Sequence, residues 1–472
     1  MKTIKTVVLL FFIILSQNLM AQCWTQIATG SYHILALKSD GTLWSWGLND
    51  KGQLGDGTTV NKNVPTQIGT DTDWTIIDAE EANSMALKTN GTLWMWGNNE
   101  SGQLGNGSFG TGNFSNTPIQ ISSDTDWVKI SSGGLRTFAL KSTGTLWGWG
   151  ENLYGHLGIG NVTPHYSPFQ IGNATDWTDI STSGNHTLAL KTNNTLWGWG
   201  LNKEGALAIG IPDVGPIITM PTQTGNNTSD WLKICAGNCC SSKMIKTDGS
   251  IWAMGGIGSY GNVGNGGITS VNTPTRIGID NDWSTVSTGS HTCAIKNNGT
   301  LWSWGFNFQG QLGDSSNTNR IVPTQAGTNI SWLTVKTGLN HTVALTSNHT
   351  LYAWGWNNFG QLGDGTFEDK NIPNQIGNSC PLSTSEFNLN EALQIYPNPT
   401  SNTIILSYHL LKNTKVSIIV TNTLGQIVFQ KNKVSTIGEN QESIDLSTCS
   451  SGVYFICLNT DNLITTKKVV KN

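Results

Sequence analysis

Short stretches of alternating apolar and polar residues recur along most of this 472-residue chain at a nearly constant spacing. The stretch Lys38–Gly55 reads K-S-D-G-T-L-W-S-W-G-L-N-D-K-G-Q-L-G, and close copies of it occur seven times. One aromatic residue anchors each copy, and successive anchors are 50 to 55 residues apart: Trp44, Trp94, Trp147, Trp197, Trp252, Trp302 and Tyr352. A fixed period near 50 is typical of propellers, solenoids and other repeat arrays.

Each repeat predicts four short strands, which in copy four are Trp177–Ile180, His186–Lys191, Thr195–Gly200 and Pro221–Thr224. The Asp-Gly or Asn-Gly pair between the second and third strands predicts a two-residue type I′ turn, with positive φ at both positions. Alternation along the third strand places its two tryptophans on one face, toward a neighbouring sheet. Seven such sheets cover one another only in a ring, so the pattern predicts an all-β chain with a seven-bladed β-propeller.

The full repeat is W-x-x-I-x-x-G-x-x-H-x-x-A-L-K-x-D/N-G-T-L-W-x-W-G-x-N-x-x-G-Q-L-G-x-G with a terminal P-x-Q-I-G. This pattern resembles the regulator of chromosome condensation repeat family over residues 23–380, and the resemblance implies a seven-bladed propeller over residues 22–380. Copy five departs most: Met254 replaces the second tryptophan, Gly261–Gly264 replaces G-Q-L-G, and Cys239 and Cys240 lie near the usual histidine.

The first 21 residues have the pattern of a secretory signal peptide. Two lysines precede the apolar run Val7–Leu15, and a polar stretch leads to a cleavage site near Ala21. A lipoprotein signal, with Cys23 lipidated, is the alternative, but Gln22 is bulkier than such a site normally accepts. No later stretch reaches the ~18 consecutive apolar residues of a membrane span.

The repeats end near Cys380, and residues 381–392 form a polar linker. Strand-like runs then predict a small Ig-like β-sandwich over residues 393–472. Its motifs Ile395–Thr400, Asn422–Gln426, Ser451–Phe455 and Lys467–Lys471 resemble the type A C-terminal sorting domain of the type IX secretion system. The resemblance implies contact with that secretion machinery and a secreted or cell-surface protein, after signal-peptide removal. A generic Ig-like adhesion module is the alternative.

Cysteine positions suggest one disulfide. Cys23 and Cys380 lie at the two ends of the repeat array, where ring closure brings them together, and an exported protein permits the bond. Two unpaired thiols are the alternative. The pairing of the other cysteines is left open by the sequence: Cys235, Cys239, Cys240, Cys293, Cys449 and Cys457.

Charge and motifs argue against several functions. The net charge is −4 and only three arginines occur, so no basic stripe for nucleic acid is present. No nucleophile elbow or zinc-protease motif appears, and the Asp-box-like turns lack an arginine triad, so no catalytic residue, metal ligand or cofactor is predicted. Histidine recurs at one repeat position, as in His33, and this recurrence indicates a structural side chain that bonds its own turn rather than a metal ligand.

Function is expected where the copies disagree. The Gly-x-x-His turns and the Asn-x-x-Gly-Gln-Leu-Gly loops should share one face of the ring, here called the loop face, and this face also receives the length variations. Its candidate binding residues are Phe109, Phe114, Tyr154, Tyr166, Tyr260, Phe306, Phe308, Trp356 and Phe359. The sequence therefore predicts a binding protein that recognises an extracellular protein or glycan. A secreted enzyme acting on polysaccharide or peptide and a purely structural surface protein are the alternatives.

Overall fold

The structure is a computed structural model, which describes residues 22–207, 209, 217–237, 240–256, 260–328, 330–378, 393–410, 414–423, 426–436, 438–460 and 464–472. The chain divides between Cys380 and Pro381 into two compact units. The signal-peptide segment and the linker of residues 381–392 lie outside the described residues.

The first unit contains seven four-stranded antiparallel sheets, here numbered blades 1 to 7 in chain order. The first strands of the blades are Trp24–Thr29, Trp74–Glu80, Trp127–Ser132, Trp177–Ser183, Trp231–Gly237, Trp283–Thr288 and Trp332–Thr337. The second strands are His33–Lys38, Asn83–Lys88, Arg136–Lys141, His186–Lys191, Ser241–Lys246, His291–Lys296 and His341–Thr346. The third strands are Leu43–Gly47, Leu93–Asn98, Leu146–Gly150, Leu196–Gly200, Ile251–Gly255, Leu301–Gly305 and Leu351–Gly355. The fourth strands are Lys62–Ile68, Phe114–Ile121, His165–Gln170, Ile218–Gln223, Val271–Arg276, Arg320–Ala326 and Lys370–Gln375. Two short 3₁₀ turns, Lys203–Gly205 and Gly225–Asn227, complete the unit.

Strands pair in sequence order within every blade, so each blade is an up-and-down meander. The first strands contact one another around the ring, including blade 7 with blade 1, and they line a central channel. The second strands are almost entirely buried, whereas the fourth strands alternate between exposed and half-buried positions at the outer edge. The all-β propeller fold is therefore confirmed, with seven blades among the described residues.

The predicted strands agree with the structure best in the interior of a blade. His186–Lys191 has the predicted bounds, while the first strand of blade 4 extends to Ser183 and the fourth begins at Ile218. The predicted type I′ turn is wrong. Gly41 has φ of 77° but Asp40 does not have positive φ, and the amide of Gly41 donates to the carbonyl of Lys38 at 3.0 Å. The turn is thus a type I turn followed by one left-handed residue, and the Asp40 carboxylate accepts from the hydroxyl of Thr42 at 2.7 Å.

Each hydrophobic core lies between two adjacent blades. Trp46 is fully buried and packs with Val343, Leu351 and Leu362 of blade 7. Its indole N–H donates to the carbonyl of Gln361 at 3.1 Å, across the seam where the ring closes. The same contact recurs around the ring, as in Trp96 to the carbonyl of Gln53 at 3.0 Å and Trp354 to that of Gln311 at 3.0 Å. At six of the seven seams the loop at the G-Q-L-G position therefore receives the tryptophan of the next blade, and blade 5 has Met254 instead.

Cys23 lies at the seam. The amide of Ser39 donates to its carbonyl at 2.8 Å, as Thr89 donates to Asp73 at the first internal junction, so Cys23 occupies the place of the junction aspartate. Cys23 is disulfide-bonded. Because Cys380 lies outside the described residues, its pairing with Cys23 stays a prediction.

A lysine stack on six of the seven blades was not foreseen from the sequence; blade 7 has Thr346 at this position. The ammonium of Lys88 lies 4.6 Å from the ring centroid of Trp74 and 4.9 Å from that of Trp94. Junction carboxylates hold the same ammonium, with Asp73 at 3.1 Å. Desolvation opposes the charged form of Lys88, but the hydrogen bonds that its ammonium donates to Asp71 and Asp73 raise its pKa above the usual value.

The second unit is a β-sandwich with its own core. One sheet has three strands, Gln394–Tyr396, Thr403–Leu410 and Gly438–Asp445. The other has four: Thr414–Asn422, Ile427–Ser435, Gly452–Thr460 and Ile464–Lys471. Side chains such as Leu406, Ile418 and Ile456 are completely buried between them. Within the described parts of both units, no helix is long and apolar enough to cross a membrane.

Candidate functional site

The turns between first and second strands and the loops between third and fourth strands meet on one face of the ring, as expected. Residues from all seven blades line one open cavity of about 1070 Å³ over the mouth of the channel, here called the mouth cavity. The opposite face carries the Asp-Gly turns and the blade junctions, where the amide of Trp74 donates to the carbonyl of Gly41 at 3.3 Å.

Three of the predicted aromatic residues, Tyr154, Tyr260 and Phe306, line the mouth cavity. Phe308 joins two of them, with its ring centroid 4.9 Å from Phe306 and 6.0 Å from Tyr260. This group, here called the blade 5–6 triad, presents the exposed rings of Tyr260 and Phe308 to solvent.

A second aromatic group lies at the ring seam. The ring centroids of Trp356 and Phe359 of blade 7 lie 5.3 Å apart, and those of both residues lie close to the ring centroid of Tyr32 of blade 1, at 5.0 Å and 5.3 Å. Tyr32 also lines the mouth cavity and was not among the candidate residues predicted from the sequence. Its place inside the Gly-x-x-His turn, which was assigned to the loop face, was the signal that could have identified it.

The remaining predicted residues lie away from the cavity. Phe109 stacks on Tyr166 at 3.9 Å, and Phe114 is exposed at the start of a fourth strand. None of these three rings lines the mouth cavity. The structure thus brings five of the nine predicted residues into two clusters at the cavity, places Tyr154 separately in the cavity lining and leaves three on the outer part of the blades.

A charged cluster, not predicted from the sequence, also lies at the cavity. Glu81 of blade 2 and Glu151 of blade 3 line the cavity. Arg136 is 1% exposed and lies behind them, with its guanidinium 3.8 Å from Glu151. His156 is 1% exposed as well, with Nδ1 3.9 Å from the same carboxylate. Arg136 and His156 depart from the repeat, since they occupy the histidine position and the glutamine position of G-Q-L-G, whereas Glu81 and Glu151 occupy positions that vary among the copies.

Electrostatics in the cluster reflect burial first. Desolvation lowers the pKa of Arg136 to about 10, although three nearby carboxylates oppose the shift. Desolvation raises the pKa of Glu81, Arg136 partly offsets the rise, and Glu151 adds to it. Burial lowers the pKa of His156 to about 2, with the Arg136 charge contributing, so the imidazole is neutral at physiological pH.

Glu80 lies deeper, where the channel narrows. The equivalent residues of the other blades are small: Gly30, Gly133, Ser183, Gly237, Gly289 and Gly338. The Glu80 carboxylate accepts from the hydroxyl of Ser183 at 3.3 Å, next to a void of about 10 Å³ that would hold one water molecule. Desolvation raises its pKa well above the usual value, and the charges of Glu81 and Asp78 add to the shift.

The repeat histidines link blades, which corrects the expectation that each bonds its own turn. Their Nε2 atoms reach a hydroxyl of the next blade: His33 to Ser84 at 2.8 Å, His186 to Ser242 at 2.7 Å and His291 to Thr342 at 2.6 Å. His341 faces blade 1, which has Ile34 at the hydroxyl position, and its ring nitrogens have no partner. In blade 5 the histidine position belongs to Ser241, paired with Gly255, and not to Cys239 or Cys240. Among the described residues, no three His, Cys, Asp or Glu side chains are grouped as metal ligands would be.

Four cysteines in the described part of the chain carry free thiols. Cys235, Cys293, Cys449 and Cys457 are free thiols. Burial raises the pKa of Cys293 to about 12, which makes its thiol inert at physiological pH.

These features define a class of protein: a repeat-built propeller whose loops surround one open cavity, followed by a separate β-sandwich. Two sequence models described as "Regulator of chromosome condensation (RCC1) repeat" together match more than half of the chain. One matches residues 24–53, 127–155, 177–206 and 333–361, and the other residues 40–80, 90–140, 143–190, 298–345 and 348–385. The chain therefore belongs to the regulator of chromosome condensation repeat family. A model described as "Secretion system C-terminal sorting domain" matches residues 394–472.

Relatives of known sequence match parts of the chain. The ultraviolet-B receptor UVR8 of Arabidopsis thaliana is 27% identical over 289 residues, which are 61% of this chain and 54% of the receptor. The mitochondrial RCC1 domain-containing protein RUG3 of the same plant is 47% identical over 53 residues, 11% of this chain and 12% of RUG3. The chain thus spans about half or less of the length of these relatives.

Two solved structures share the propeller. Human WBSCR16 has a TM-score of 0.62 at 22% identity, covering 69% of this chain and 88% of that one. Yeast RCC1 (Prp20), solved with Kap60 bound to it, has a TM-score of 0.64 at 17% identity, covering 84% and 92%. At these identities the likeness shows the fold. The sorting domain indicates a secreted or cell-surface protein, and the repeats indicate protein binding.

Proposed function

We propose that this protein binds an extracellular protein partner through the loop face of its propeller, with the mouth cavity at the centre of the interface. The observation that carries the proposal is the cavity itself, which is open, is lined by all seven blades and is flanked by two aromatic clusters. Aromatic residues around a concave centre are typical of binding hot spots.

The blade 5–6 triad is the sharpest point for a test. Phe308 is 56% exposed and Tyr260 is 39% exposed, so truncation there removes contact surface without opening a buried core. Ile279 is a matched control because it is 89% exposed and lies at a blade junction, on the opposite face.

The experiment is affinity capture from culture medium by the immobilised full chain, followed by identification and a binding titration with the captured protein. Phe308→Ala should weaken the measured affinity at least tenfold, as loss of an aromatic hot spot does, and Ile279→Ala should leave it unchanged. Equal affinities for wild type and Phe308→Ala would reject the loop face as the interface. Capture of polysaccharide instead of protein would favour the glycan alternative.

One observation favours the enzyme alternative. Glu81, with its raised pKa, and Glu151 are two carboxylates in one cavity, as a general acid and its partner would be. Incubating the protein with dye-linked polysaccharides and peptides tests this second candidate, with Glu81→Gln as the inactive variant. Turnover that the substitution abolishes would replace binding by hydrolysis as the function.

A further inference from the structure

The mouth cavity is rich in acceptors of hydrogen bonds and poor in free cations. Asp50, Glu81 and Glu151 line it, and Lys51 is the lysine among its lining residues. Lys51 already forms an ion pair with Glu100 at 2.8 Å. The 3.8 Å contact of Arg136 with Glu151 is too long for a hydrogen bond, and the guanidinium donates instead to the carbonyl of Gly184. The carboxylates of the cavity therefore keep lone pairs available for a ligand.

Two buried polar side chains point to a ligand independently of the carboxylates. At the glutamine position of G-Q-L-G, the oxygens of Gln53 and Gln361 accept from amides of their own loops, at 2.8 Å and 2.9 Å, and neither residue lines the cavity. In blades 3 and 5 this position belongs to His156 and Asn262, which do line it.

His156 is 1% exposed and Asn262 is 5% exposed, so both are buried. One ring nitrogen of His156 interacts with the backbone of Asn185 and the other has no partner, and the side-chain oxygen of Asn262 has none. A buried polar atom without a partner is unfavourable, and a bound donor would satisfy it.

Aromatic faces complete the cavity. Tyr32, Tyr154, Tyr260 and Phe306 line the same space as Glu81 and Glu151. Carboxylates facing aromatic rings form the environment in which ammonium and guanidinium groups bind, through ion pairs and cation–π contacts. An anionic ligand would meet three carboxylates, with Arg136 already bonded to the backbone.

We propose that the mouth cavity binds a lysine- or arginine-bearing segment of the partner protein, whose cation lies between Glu81, Glu151 and the aromatic residues. This inference rests on the proposed function, of which it specifies the partner chemistry. The cavity volume of about 1070 Å³ accommodates a peptide segment and not only one side chain. His156 and Asn262 accept hydrogen bonds from the segment at the cavity wall.

The test is a calorimetric titration of the full chain with three acetylated and amidated probe peptides, Gly-Arg-Gly-Arg-Gly, Gly-Gln-Gly-Gln-Gly and Gly-Glu-Gly-Glu-Gly. The arginine peptide should bind at least tenfold more tightly than the other two, and its affinity should fall as salt rises from about 50 to 500 mM. Comparable binding of all three peptides, or no binding of the arginine peptide at millimolar concentration, would overturn the proposal.

Variants locate the binding site. Glu81→Gln together with Glu151→Gln should weaken the arginine peptide at least tenfold, whereas Asp71→Asn, an exposed acid on the opposite face, should not. His156→Gln introduces the residue of blades 1, 2, 6 and 7, which protects folding, and should weaken binding of the arginine peptide severalfold. Unfolding midpoints establish that each variant is folded, and unchanged peptide affinity in a folded double variant would refute the site.

The outcomes separate this inference from the proposed function. If the double variant loses the arginine peptide but still binds the captured partner, the cavity binds cations and the partner does not use it, which refutes the inference as stated. If Phe308→Ala binds the captured partner as well as wild type does, the proposed loop-face interface fails, whatever the peptides show.

Discussion

Mild acid should destabilise the propeller, because its blades are joined by buried neutral histidines. Burial lowers the pKa of His33 to about 4 and the pKa values of His186, His291 and His341 to about 3. In an unfolded chain a histidine titrates near 6.5. Between these values only the unfolded state binds the proton, so stability rises with pH in this window and is lost as the pH falls below about 6.5.

The loss of stability follows from the size of the pKa shifts. A histidine whose pKa is 6.5 in the unfolded chain and 3 in the folded chain lowers the free energy of unfolding at pH 5 by on the order of 2 kcal/mol, and four of them lower it by roughly 8 kcal/mol. A domain has about 5–15 kcal/mol of stability in total. Glu80 and Glu81 act in the opposite direction, since their raised pKa values favour the folded state on acidification, but the histidines outnumber them.

Two reciprocal substitutions test the assignment. His186→Asn introduces the residue that blade 2 carries naturally at this position, Asn83, and should reduce the dependence of stability on pH by up to about 1.4 kcal/mol per pH unit. Asn83→His adds a histidine that can hydrogen-bond the hydroxyl of Thr137 in the next blade, and it should increase the dependence of stability on pH by a similar amount. Urea unfolding followed by tryptophan fluorescence at pH 7.5, 6.5 and 5.5 measures it. An unfolding free energy that is the same at pH 7.5 and 5.5 would refute the reasoning.

Three further predictions concern single contacts. Trp199→Phe removes the indole N–H that donates to the carbonyl of His156 at 2.6 Å, so the free energy of unfolding in urea should fall by about 2 kcal/mol. Gly105→Ala places a Cβ 2.5 Å from Nε1 of Trp149 at a φ of 75°, so thermal unfolding should begin several degrees lower. Gly377→Ala is the control, because the space around Gly377 is open; its unfolding temperature should fall less, through the strain of a φ of 69° alone. Because burial raises the pKa of Glu80, its ionised form destabilises the folded state at pH 8. Glu80→Gln should therefore raise the unfolding midpoint at pH 8 and change it little near pH 4.5. A midpoint that falls at pH 8 would contradict the assigned environment of Glu80.

The propeller could be predicted from the sequence because the same pattern of strands and turns recurs in seven copies. The second strand of blade 4 was placed correctly, since its apolar residues are buried on both faces in every copy. The turn type was not, because Asp-Gly is compatible with two hairpin geometries. The deciding contact is between the Lys38 carbonyl and the Gly41 amide, which a residue pattern does not reveal.

The candidate site was predicted in part. Aromatic residues such as Phe306 and Tyr260 were identified because large apolar side chains in loops are visible one at a time. Glu81 and Arg136 were not identified, because they lie in different repeats and gain meaning only when neighbouring blades bring them together at the mouth. The signal was present in the alignment of the copies, where blades 2 and 3 depart from the repeat at adjacent positions on the loop face.

Those departures depend on one another. A fully buried arginine is stable only beside compensating carboxylates, and Arg136 of blade 3 has Glu80 and Glu81 of blade 2 and Glu151 of its own blade as its charged neighbours. The other blades show that glycine and histidine at these positions suffice to build the ring, with less desolvation of charge. The exchange is therefore not needed to build the ring, and it places acidic side chains at the mouth of the channel that the standard repeat would not provide. A local cost that assembles a charged cavity across two blades is what a functional site is expected to show.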